Sequence, residues 1–527
     1  MMLKRAFVVF ALIVTSIAPA NAEDLSYLNR YISFEDSIVV MDSPVLYSIN
    51  GGTGTPCEDG WSSKCDPSLA ISIENFLPIC STPDGMDARL DCLESVEAEI
   101  DGQMTVGEIV PNQVSYWDRY GFDAKPEKGI AKSMPFQIYK FEGLKHAKGD
   151  LFQIKALKSN IIKSGVINPT RYTFLIAPTY QEKQTYDCSY LKTPDGLCWV
   201  TGSFQSNTRF KLNIRTAQNI SGWFTGRVTD PSIKFSSAVD GRNAISLIGL
   251  SQSVPAISRN YFYTNEVQRA EWNEIALKNP SQSWDVTTNE GKRYSMGTPY
   301  SADAIFQFEE LVSRIKSFNN ADSLKNIWRI ESTVYGLTNK RECLDSKITG
   351  FVSSNAMTYE KAIPSWDASA NSLVYKIASP HTALGQEFVG RYDLLISEQV
   401  GKCLWSLTSL KPIAKISVTG ASGEQKVVTA SSKIVDGFYK FTVAGFTFST
   451  NKISVKMLPE GSSPLTDTSI VNEPSNIPKP VVNPSPISSA EANPVRIKKF
   501  TITCVKGKVQ KKITGLTPKC PTGYKKK

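Results

Sequence analysis

Hydrophobic and polar residues alternate along several stretches of the chain, as they do in strands with one buried face. Over residues 209–215, Phe210, Leu212 and Ile214 alternate with basic or polar residues. Residues 171–177 and 151–156 alternate in a similar way. Because successive side chains of a strand point to opposite faces, this pattern predicts that residues 24–457 fold mostly as β-structure.

Asp-Gly pairs occur beside several of these segments and indicate turns. Asp101-Gly102 lies between residues 94–100 and 103–110, and this dipeptide accepts the positive φ angles of a tight hairpin turn. Asp436-Gly437 precedes a predicted strand that is rich in aromatic residues, 438–448. Further Asp-Gly pairs occur at 84–85, 195–196 and 240–241.

One segment has a clear helical pattern, with apolar residues recurring on one helical face at Ile305, Phe308, Val312 and Ile315. Ser301 is placed to cap this helix, and Asp303 suits its positive end. A weaker pattern predicts a second helix over residues 263–278. Residues 92–100 are compatible with a helix too, but their apolar residues recur every two or four positions, which favours a strand.

The ten cysteines follow one another as near neighbours, namely Cys57 and Cys65, Cys80 and Cys92, Cys188 and Cys198, Cys343 and Cys403, Cys504 and Cys520. The simplest prediction is a disulfide within each neighbouring pair, although the sequence alone does not fix connectivity. Each bridge would contribute about 2–4 kcal/mol by restricting the unfolded chain. No C-x-x-C or Cys/His pair with metal-ligand spacing is present, so no metal site is expected.

The N-terminus has the features of a secretory signal peptide. Lys4 and Arg5 precede a mostly apolar run over residues 6–18, and Ala20-Asn21-Ala22 offers a small-x-small cleavage site. A membrane anchor is the alternative, but the run is shorter than the roughly 20 residues that a span needs. We therefore expect cleavage after Ala22 and an extracellular location, which suits the disulfides.

The chain changes character near its C-terminus. Residues 458–495 contain repeated prolines among Ser, Asn and Thr, with no aromatic residue, and predict a disordered linker. Residues 496–527 contain 11 Lys or Arg and no Asp or Glu. The rest of the mature chain has 46 basic and 50 acidic residues, so the positive balance comes from the last 32 residues.

The tail lysines are the candidate binding residues: Lys506, Lys508, Lys511, Lys512, Lys519, Lys525, Lys526 and Lys527. Hydrated lysine charges suit docking to an anionic cell-wall polymer or membrane surface, at up to about 1 kcal/mol each. The alternative is a solubilising tail without a partner. Nucleic acid is not expected as a partner, because the protein is predicted to be exported and the tail lacks interleaved aromatic residues.

Composition excludes several classes of enzyme. The two histidines, His146 and His381, are too few for a three-His zinc site, and no HExxH occurs. No phosphate-binding loop, dinucleotide-binding glycine motif or EF-hand loop is present. Both histidines lie in turn-like stretches, so no catalytic residue and no cofactor are predicted.

Two further residue sets have a functional and a structural interpretation. The cations Arg209, Lys211, Arg215 and Arg227 could share a solvent face and bind a phosphate or acidic sugar, but an ordinary solvated face is favoured. Among the aromatic residues, Trp199 and Trp405 follow cysteines and are expected to pack against disulfides. The better surface candidates for glycan stacking are Trp61, Trp117, Trp284 and Trp366.

The tail segments ITCVKGK (502–508), KKITG (511–515) and PKCPTGYKK (518–526) resemble a basic two-cysteine C-terminal module of uncharacterised exported actinobacterial surface proteins. Segments of the body are similar to one set of those proteins, at residues 91–96, 143–147, 209–212, 221–231 and 437–448. The resemblance implies a surface or secreted protein and transfers no catalytic residue.

Together these features predict a mainly β, β-sandwich-like and disulfide-stapled body with a minor α+β middle region. The predicted organisation is a signal peptide (1–22), an N-terminal β-rich region (23–240), a mixed α+β region (241–400), strands completing the body (401–457), the linker (458–495) and the basic module (496–527). The favoured function is a non-enzymatic, envelope-associated protein with a surface-binding or structural role.

The alternative function is a secreted glycan-active hydrolase or a carbohydrate-binding protein, with a glycan as partner. Two carboxyl groups about 5–10 Å apart in an aromatic-lined groove would favour the hydrolase.

Overall fold

The architecture comes from a computed structural model. It describes residues 29–34, 46–48, 71–111, 114, 123–163, 166–184, 188, 192–220, 222–262, 283–288, 291–296, 302–314, 316–333, 348–360, 363–367, 369, 372–405, 414–419, 425–427, 430–448, 451–457, 500–506, 509–515 and 525–526. The predicted signal peptide, the linker and the helix expected at 263–278 lie outside these ranges.

The first strands in chain order are β1 (Asn29–Phe34), β2 (Leu46–Ser48), β3 (Ile71–Phe76), β4 (Cys92–Ile100), β5 (Gln103–Val106), β6 (Glu108–Val110), β7 (Gln137–Lys140), β8 (Leu151–Lys163), β9 (Val166–Glu182), β10 (Cys198–Thr201), β11 (Arg209–Thr216), β12 (Gly222–Ser237) and β13 (Asn243–Phe262). The next are β14 (Ser283–Thr288), β15 (Gly291–Met296), β16 (Asn320–Ala321), β17 (Ser323–Thr333), β18 (Ile348–Ser354), β19 (Thr358–Tyr359), β20 (Ser365–Asp367), β21 (Ser372–Ala378), β22 (Thr382–Ala383), β23 (Gln386–Glu387) and β24 (Val389–Ser397).

The last strands are β25 (Ala414–Thr419), β26 (Gln425–Val427), β27 (Ala430–Val435), β28 (Phe438–Thr447), β29 (Asn451–Met457), β30 (Phe500–Lys506), β31 (Val509–Gly515) and β32 (Lys525–Lys526). The helices are α1 (Pro83–Met86), α2 (Ala302–Arg314) and α3 (Glu398–Trp405), with 3-10 turns at Pro126–Lys128 and Lys316–Asn319. The prediction of a mainly β fold is therefore confirmed, and so is the strand at 92–100.

The chain divides into two compact units, Met1–Ser463 and Pro464–Lys527. The boundaries expected at 240/241 and 400/401 both fall inside the first unit. The first of them lies in the loop between β12 and β13, and the second lies within α3.

Two sheets of the first unit form a β-sandwich. The groove sheet has the strand order β5-β4-β11-β13-β12. The central sheet runs β3-β8-β9-β17-β12-β18-β24-β28-β27, so the long strand β12 contributes to both layers. The core between them contains Val96, Phe210, Leu212, Ile214 and Leu247 of the groove sheet and Phe152, Phe174, Phe224, Trp328 and Ile330 of the central sheet.

The alternation of β11 explains the groove sheet. Phe210, Leu212 and Ile214 are fully buried, while the residues between them are half-buried on the other face. This is the periodicity that the sequence predicts for a strand with one solvated face. As a result, the polar side chains of β11 are presented to solvent in a row.

The strands β8 and β9 differ from that expectation. In β9, Phe174 and Ile176 face the sandwich core, while Leu175 belongs to a second cluster with Phe76 and Trp199. Both faces of these strands are covered, because the central sheet is the middle layer of the unit. Alternation in the sequence therefore does not mark a solvated face here.

A third layer covers another part of the central sheet. Six strands, β19, β20, β21, β29, β25 and β26, form a small sheet, against which α2 packs. Ile305 and Phe308 of α2 are buried there, and Val312 is partly buried, which confirms the predicted apolar face. Ile315 and the predicted cap Ser301 lie outside the described residues.

The Asp-Gly pairs mostly form the predicted turns. Asp101-Gly102 and Asp436-Gly437 both have positive φ at each residue, as in the type I′ turns of two-residue hairpins. Gly196 and Gly241 also have positive φ in turns. Asp84-Gly85 differs, because Thr82 caps α1 by accepting a hydrogen bond from the amide of Gly85, so the pair lies inside a helical turn.

Two of the predicted disulfides, Cys80–Cys92 and Cys188–Cys198, are present. Cys403 is also disulfide-bonded, but its predicted partner Cys343 lies outside the described residues. Cys57, Cys65 and Cys520 lie outside them too, and for Cys504 only the backbone is described. The disulfide-stapled character of the body is thus confirmed.

The second unit contains a small antiparallel sheet with the order β31-β30-β32. Its register places Cys504 opposite Lys511 on one side and opposite Lys526 on the other. Lys512 pairs with Thr503, and Lys525 pairs with Val505. The predicted strand at 501–505 is therefore the central strand of this sheet.

Candidate functional site

The solvated face of the groove sheet carries a surface groove of about 470 Å³. We call it the charged groove, and it is lined by Glu99, Gly102, Met104, Arg209, Lys211, Lys234, Ser246 and Ile248. These residues come from β4, the β4–β5 turn, β5, β11, β12 and β13. The groove therefore crosses all the strands of the groove sheet.

Every cation lining the groove is close to a carboxylate. Arg209 Nε lies 3.0 Å from Glu99, and its Nη2 lies 3.3 Å from Asp230. Lys211 Nζ lies 2.9 Å from Glu97. These pairs are half-exposed, so each contributes only about 0–1 kcal/mol to stability, but they fix where the charges lie.

Lys234 is held less tightly than the other two cations. Its Nζ lies 3.6 Å from Asp436, beyond hydrogen-bond distance, and its side chain is 57% exposed. Ser232 donates a hydrogen bond to the same carboxylate, at 2.8 Å. Lys234 is therefore the groove cation that can most easily turn toward a ligand.

A hydrogen-bond network beside the groove ties three strands together. Asn213 donates to Ser95 and to Glu97, each at 2.8 Å, and Ser246 donates to Asn213 Oδ1. Glu97 thus receives both the Asn213 amide and the Lys211 ammonium. The polar groups on this face are held in position rather than loosely solvated.

One end of this face is anchored by a bulge in β12. The register shifts between Thr229 and Ser232, and Asp230 has a φ of 56°. Burial raises the pKa of Asp230, but the hydrogen bond from Lys440 and the charges of Lys440 and Arg209 together lower it by more. The net result is a pKa below the usual value for Asp, so the carboxylate is ionised at neutral pH. Lys440 is buried and also donates to the carbonyl of Pro231, at 2.8 Å.

Arg215 lies on the same face, beyond the groove. It pairs with Asp240 at 2.9 Å and with Glu94. The hydrogen bond to Glu94, and after it the hydrogen bond to Asp240, raises the pKa of Arg215. The predicted cations Arg209, Lys211 and Arg215 therefore do share a face, but each one is already neutralised by carboxylates.

The prediction that Arg227 lies on this solvated face is wrong. Arg227 is fully buried and donates to the carbonyls of Ser354, Ala356 and Met357. Its guanidinium lies 4.5 Å from the centre of the Tyr359 ring. It belongs to the part of β12 in the central sheet, where the side chain is covered by a further layer.

The tail residues can be placed by their backbone. Lys506 ends β30, Lys511 and Lys512 lie in β31, and Lys525 and Lys526 form β32. The register therefore brings Lys511 and Lys526 to the two sides of one position, Cys504. The remaining predicted tail lysines, Lys508, Lys519 and Lys527, lie outside the described residues.

The two histidines have structural contacts. His146 Nε2 donates to the carbonyl of Leu151 at 2.9 Å, and its ring meets Phe152 edge-on. His381 Nδ1 donates to the carbonyl of Phe448 at 2.9 Å. Both contacts hold a turn against a strand.

The tryptophans differ in whether their side chains are described and how far they are buried. Trp199 follows Cys198 in β10 and is buried in the cluster that contains Phe76 and Leu175. Trp366 is not a surface platform, because it is partly buried against the core beneath α2. Trp61 and Trp117 lie outside the described residues, and for Trp284 and Trp405 the side chains do too.

Of the eight residues that line the groove, sequence reasoning named only Arg209 and Lys211 as candidate binding residues. Lys234, Ser246 and Ile248 come from β12 and β13, and only the pairing of these strands with β11 brings them beside Arg209. The alternation of residues 244–250 was the available signal, since Ile245 and Leu247 are buried between more exposed neighbours.

A glycan hydrolase would need two carboxyl groups in an aromatic-lined groove. Among the residues that line the charged groove, Glu99 is the one carboxylate, and none is aromatic. Within the described part of the chain, no three His, Cys, Asp or Glu residues are grouped to hold a metal ion. No helix in that part has the length and apolar character of a membrane span.

Comparison of the chain with protein-family models finds no match, and comparison with curated proteins finds no significant similarity.

Proposed function

We propose that the protein is an exported, non-enzymatic component of the cell envelope that docks to an anionic surface through the unit Pro464–Lys527. The observation that supports this most directly is the separation of charge between the two compact units. Residues 464–527 contain 12 basic and 3 acidic residues, while residues 1–463 contain 47 of each. The net charge of +9 thus resides in the smaller unit.

The small sheet of this unit fixes the backbone spacing of two lysines. Lys511 and Lys526 lie on the two strands that flank β30, opposite the same residue. Two strand separations amount to roughly 10 Å. Lysines at fixed backbone positions suit a polymer with repeated anionic groups, because the backbone that carries them need not be ordered on binding.

Export is supported by the leader-like sequence at residues 1–22 and by the disulfides of the body. The resemblance of the tail to modules on exported actinobacterial proteins agrees with this location. The ligand proposed for the tail is an anionic wall polymer or an anionic lipid surface.

The docking proposal is tested by sedimenting the full chain with purified Gram-positive cell walls and, separately, with vesicles of phosphatidylglycerol and phosphatidylcholine. We expect retention at low salt that falls as salt rises, since exposed charges are screened within about 10 Å at 0.1 M. A variant with Lys506, Lys511, Lys512, Lys525 and Lys526 changed to Gln should lose retention on the surface that is bound.

The matched control changes five exposed lysines of the body to Gln: Lys128, Lys132, Lys145, Lys183 and Lys192. It alters the net charge by the same amount and should keep retention. Equal retention of the tail variant and the wild type, or equal loss in both variants, would contradict docking through the tail.

Export is tested separately by expressing the complete gene in a Gram-positive host and sequencing the N-terminus of the product. We expect protein outside the membrane that begins at Glu23. Uncleaved protein in the cytosol would contradict this part of the proposal.

A further inference from the structure

We infer that the charged groove binds a neutral oligosaccharide. This inference concerns the body of the protein and is independent of docking by the tail. Its support is the extent of the groove, its balance of charge and the fixed position of its polar groups.

The extent of the groove suits a short chain of sugar rings. Its volume of about 470 Å³ lies within the range of about 300–1,000 Å³ that is usual for small-ligand sites. It runs across five neighbouring strands from Met104 to Lys234, which corresponds to roughly 19 Å at the usual strand spacing. An elongated ligand lying across the strands fits this shape better than a single compact group.

The balance of charge disfavours an ionic ligand. Arg209 pairs with Glu99 and Asp230, and Lys211 pairs with Glu97. A phosphate or acidic sugar would have to displace one of these carboxylates and would then lie beside the others. A cationic ligand would have to displace a lysine or arginine from its carboxylate and would then lie beside the other cations.

The polar groups that remain are well suited to hydroxyl groups. A guanidinium has five donors and a carboxylate has about four acceptor positions, so each ion pair leaves both donors and acceptors unused. A sugar hydroxyl donates and accepts at once, and neighbouring hydroxyls can bridge an adjacent cation and carboxylate. Because the ion pairs already order Arg209, Glu99 and Lys211, little side-chain freedom is lost on binding.

Apolar contacts complete the site. Met104 is 37% exposed at one side of the groove, and Ile248 is half-buried in its floor, two residues along β13 from Ser246. These side chains offer surface to the C–H faces of sugar rings. The polar and apolar lining together match an amphipathic ligand without net charge.

The test is isothermal titration calorimetry of the full chain with four neutral probes: maltohexaose, cellohexaose, chitohexaose and mannohexaose. Inorganic polyphosphate serves as the anionic probe. We expect saturable binding of at least one oligosaccharide, with an affinity that changes little between about 0.05 and 0.5 M NaCl. The salt-sensitive docking of the tail is thereby distinguished from binding in the groove.

Variants assign the binding to the groove. Lys211→Met and Lys234→Met should each weaken the affinity about tenfold, roughly the effect of losing one hydrogen bond from a charged group. Lys234 Nζ is beyond hydrogen-bond distance of Asp436, so Lys234→Met breaks no hydrogen bond to that carboxylate. This variant therefore tests the site even if Lys211→Met affects folding. The control Lys183→Met removes an exposed lysine at the end of β9 and should leave the affinity unchanged.

Three results would overturn the inference. The first is the lack of binding of all four oligosaccharides at concentrations up to about 1 mM. The second is binding that neither Lys211→Met nor Lys234→Met weakens. The third is salt-dependent binding of polyphosphate that both substitutions weaken, which would make the groove an anion site instead.

Discussion

Arg209 and Arg227 show how differently two arginines in strands that are consecutive in sequence can be used. Arg209 lies on a solvated face between Glu99 and Asp230. Arg227 lies in the interior and binds backbone carbonyls around residues 354–357. Its methylene groups and planar guanidinium fill space beside Tyr359, and its donors satisfy carbonyl groups where the chain leaves β18.

We predict that Arg227→Met strongly destabilises the protein. The substitution removes the donors to at least three buried carbonyl groups, and an unsatisfied buried acceptor costs about 1–3 kcal/mol. The thermal midpoint of the body measured by calorimetry should fall by several degrees. Arg89→Met, at an exposed pair with Asp87, is the control and should change it little; an equal effect of both substitutions would contradict the interior role of Arg227.

Glu360 is a second residue whose surroundings predict a measurable effect. Burial raises the pKa of its carboxyl, although the backbone amide of Lys376 donates to it at 3.1 Å. Burial also raises the pKa of Glu309 on α2, so both carboxyls near Lys376 are disfavoured in their charged form.

The consequence is a defined dependence of stability on pH. Because the folded state binds this proton more tightly than the unfolded state, the contribution of Glu360 is largest below its unfolded pKa and is lost as pH rises through the folded pKa. Glu360→Gln should therefore be more stable than the wild type at pH 7 and lose that advantage in acid, as measured by urea unfolding at several pH values. Glu398→Gln, at an exposed pair with Lys402, should show no such trend, and a parallel trend in both variants would refute the assignment.

At the scale of elements, the start of β4 is held by a disulfide and by packing. Cys92 is fully buried, and its bond to Cys80 joins β4 to the loop before α1. A neighbouring ion pair, Lys158 with Asp91 at 2.7 Å, fixes the same end of the strand. Tyr172 donates to Asp91 as well, at 2.6 Å, so several strands converge at this point.

We predict that replacing Cys80 and Cys92 together by Ser lowers the free energy of unfolding by about 2–4 kcal/mol. This is the usual stabilisation that a disulfide provides by restricting the unfolded chain. Denaturant unfolding under non-reducing conditions measures the change. The same double replacement at Cys188 and Cys198 provides a comparison at a less central site. An unchanged free energy of unfolding in the Cys80 and Cys92 double variant would contradict the prediction.

The sequence allowed the type of most elements to be predicted, but not whether one or both faces of a strand are covered by other layers. The alternation of β11 gave its buried face correctly, because one side of the groove sheet is solvated. The same pattern in β9 was misleading, since a second layer covers Leu175 on the opposite face. Local spacing gives the face of a residue, whereas the number of covering layers depends on contacts distant in sequence.

The same limit explains the candidate site. Arg209 and Lys211 could be placed on one face from the spacing within β11 alone. Their partners Glu97 and Glu99 come from a strand more than a hundred residues earlier, through a register that composition does not encode. The local pattern left a phosphate site as an alternative to the favoured solvated face, because carboxylates so distant in sequence cannot be placed beside these cations from spacing alone.

At the scale of the whole molecule, the two compact units differ in net charge. The unit Met1–Ser463 carries equal numbers of basic and acidic residues, and the unit Pro464–Lys527 carries the excess. Long-range attraction to an anionic surface would therefore act mainly on the smaller unit.

We predict that a chain ending at Ser463 keeps the thermal midpoint of the full protein, because the strands of the two units pair only within their own unit in the described part of the chain. The shortened chain should pass through a cation exchanger at neutral pH, while the full chain is retained. Calorimetry and chromatography of both proteins measure this. A lower midpoint for the shortened chain would show that the second unit stabilises the first.

The charge difference between the units also gives a single proteolytic cut near Ser463 an unusual effect. After loss of residues 1–22, the cut would liberate a body with 45 basic and 47 acidic residues and leave every excess cation on the fragment that remains behind. Shedding from an anionic surface would then be a one-way step, since the liberated body keeps no electrostatic attraction that could bring it back.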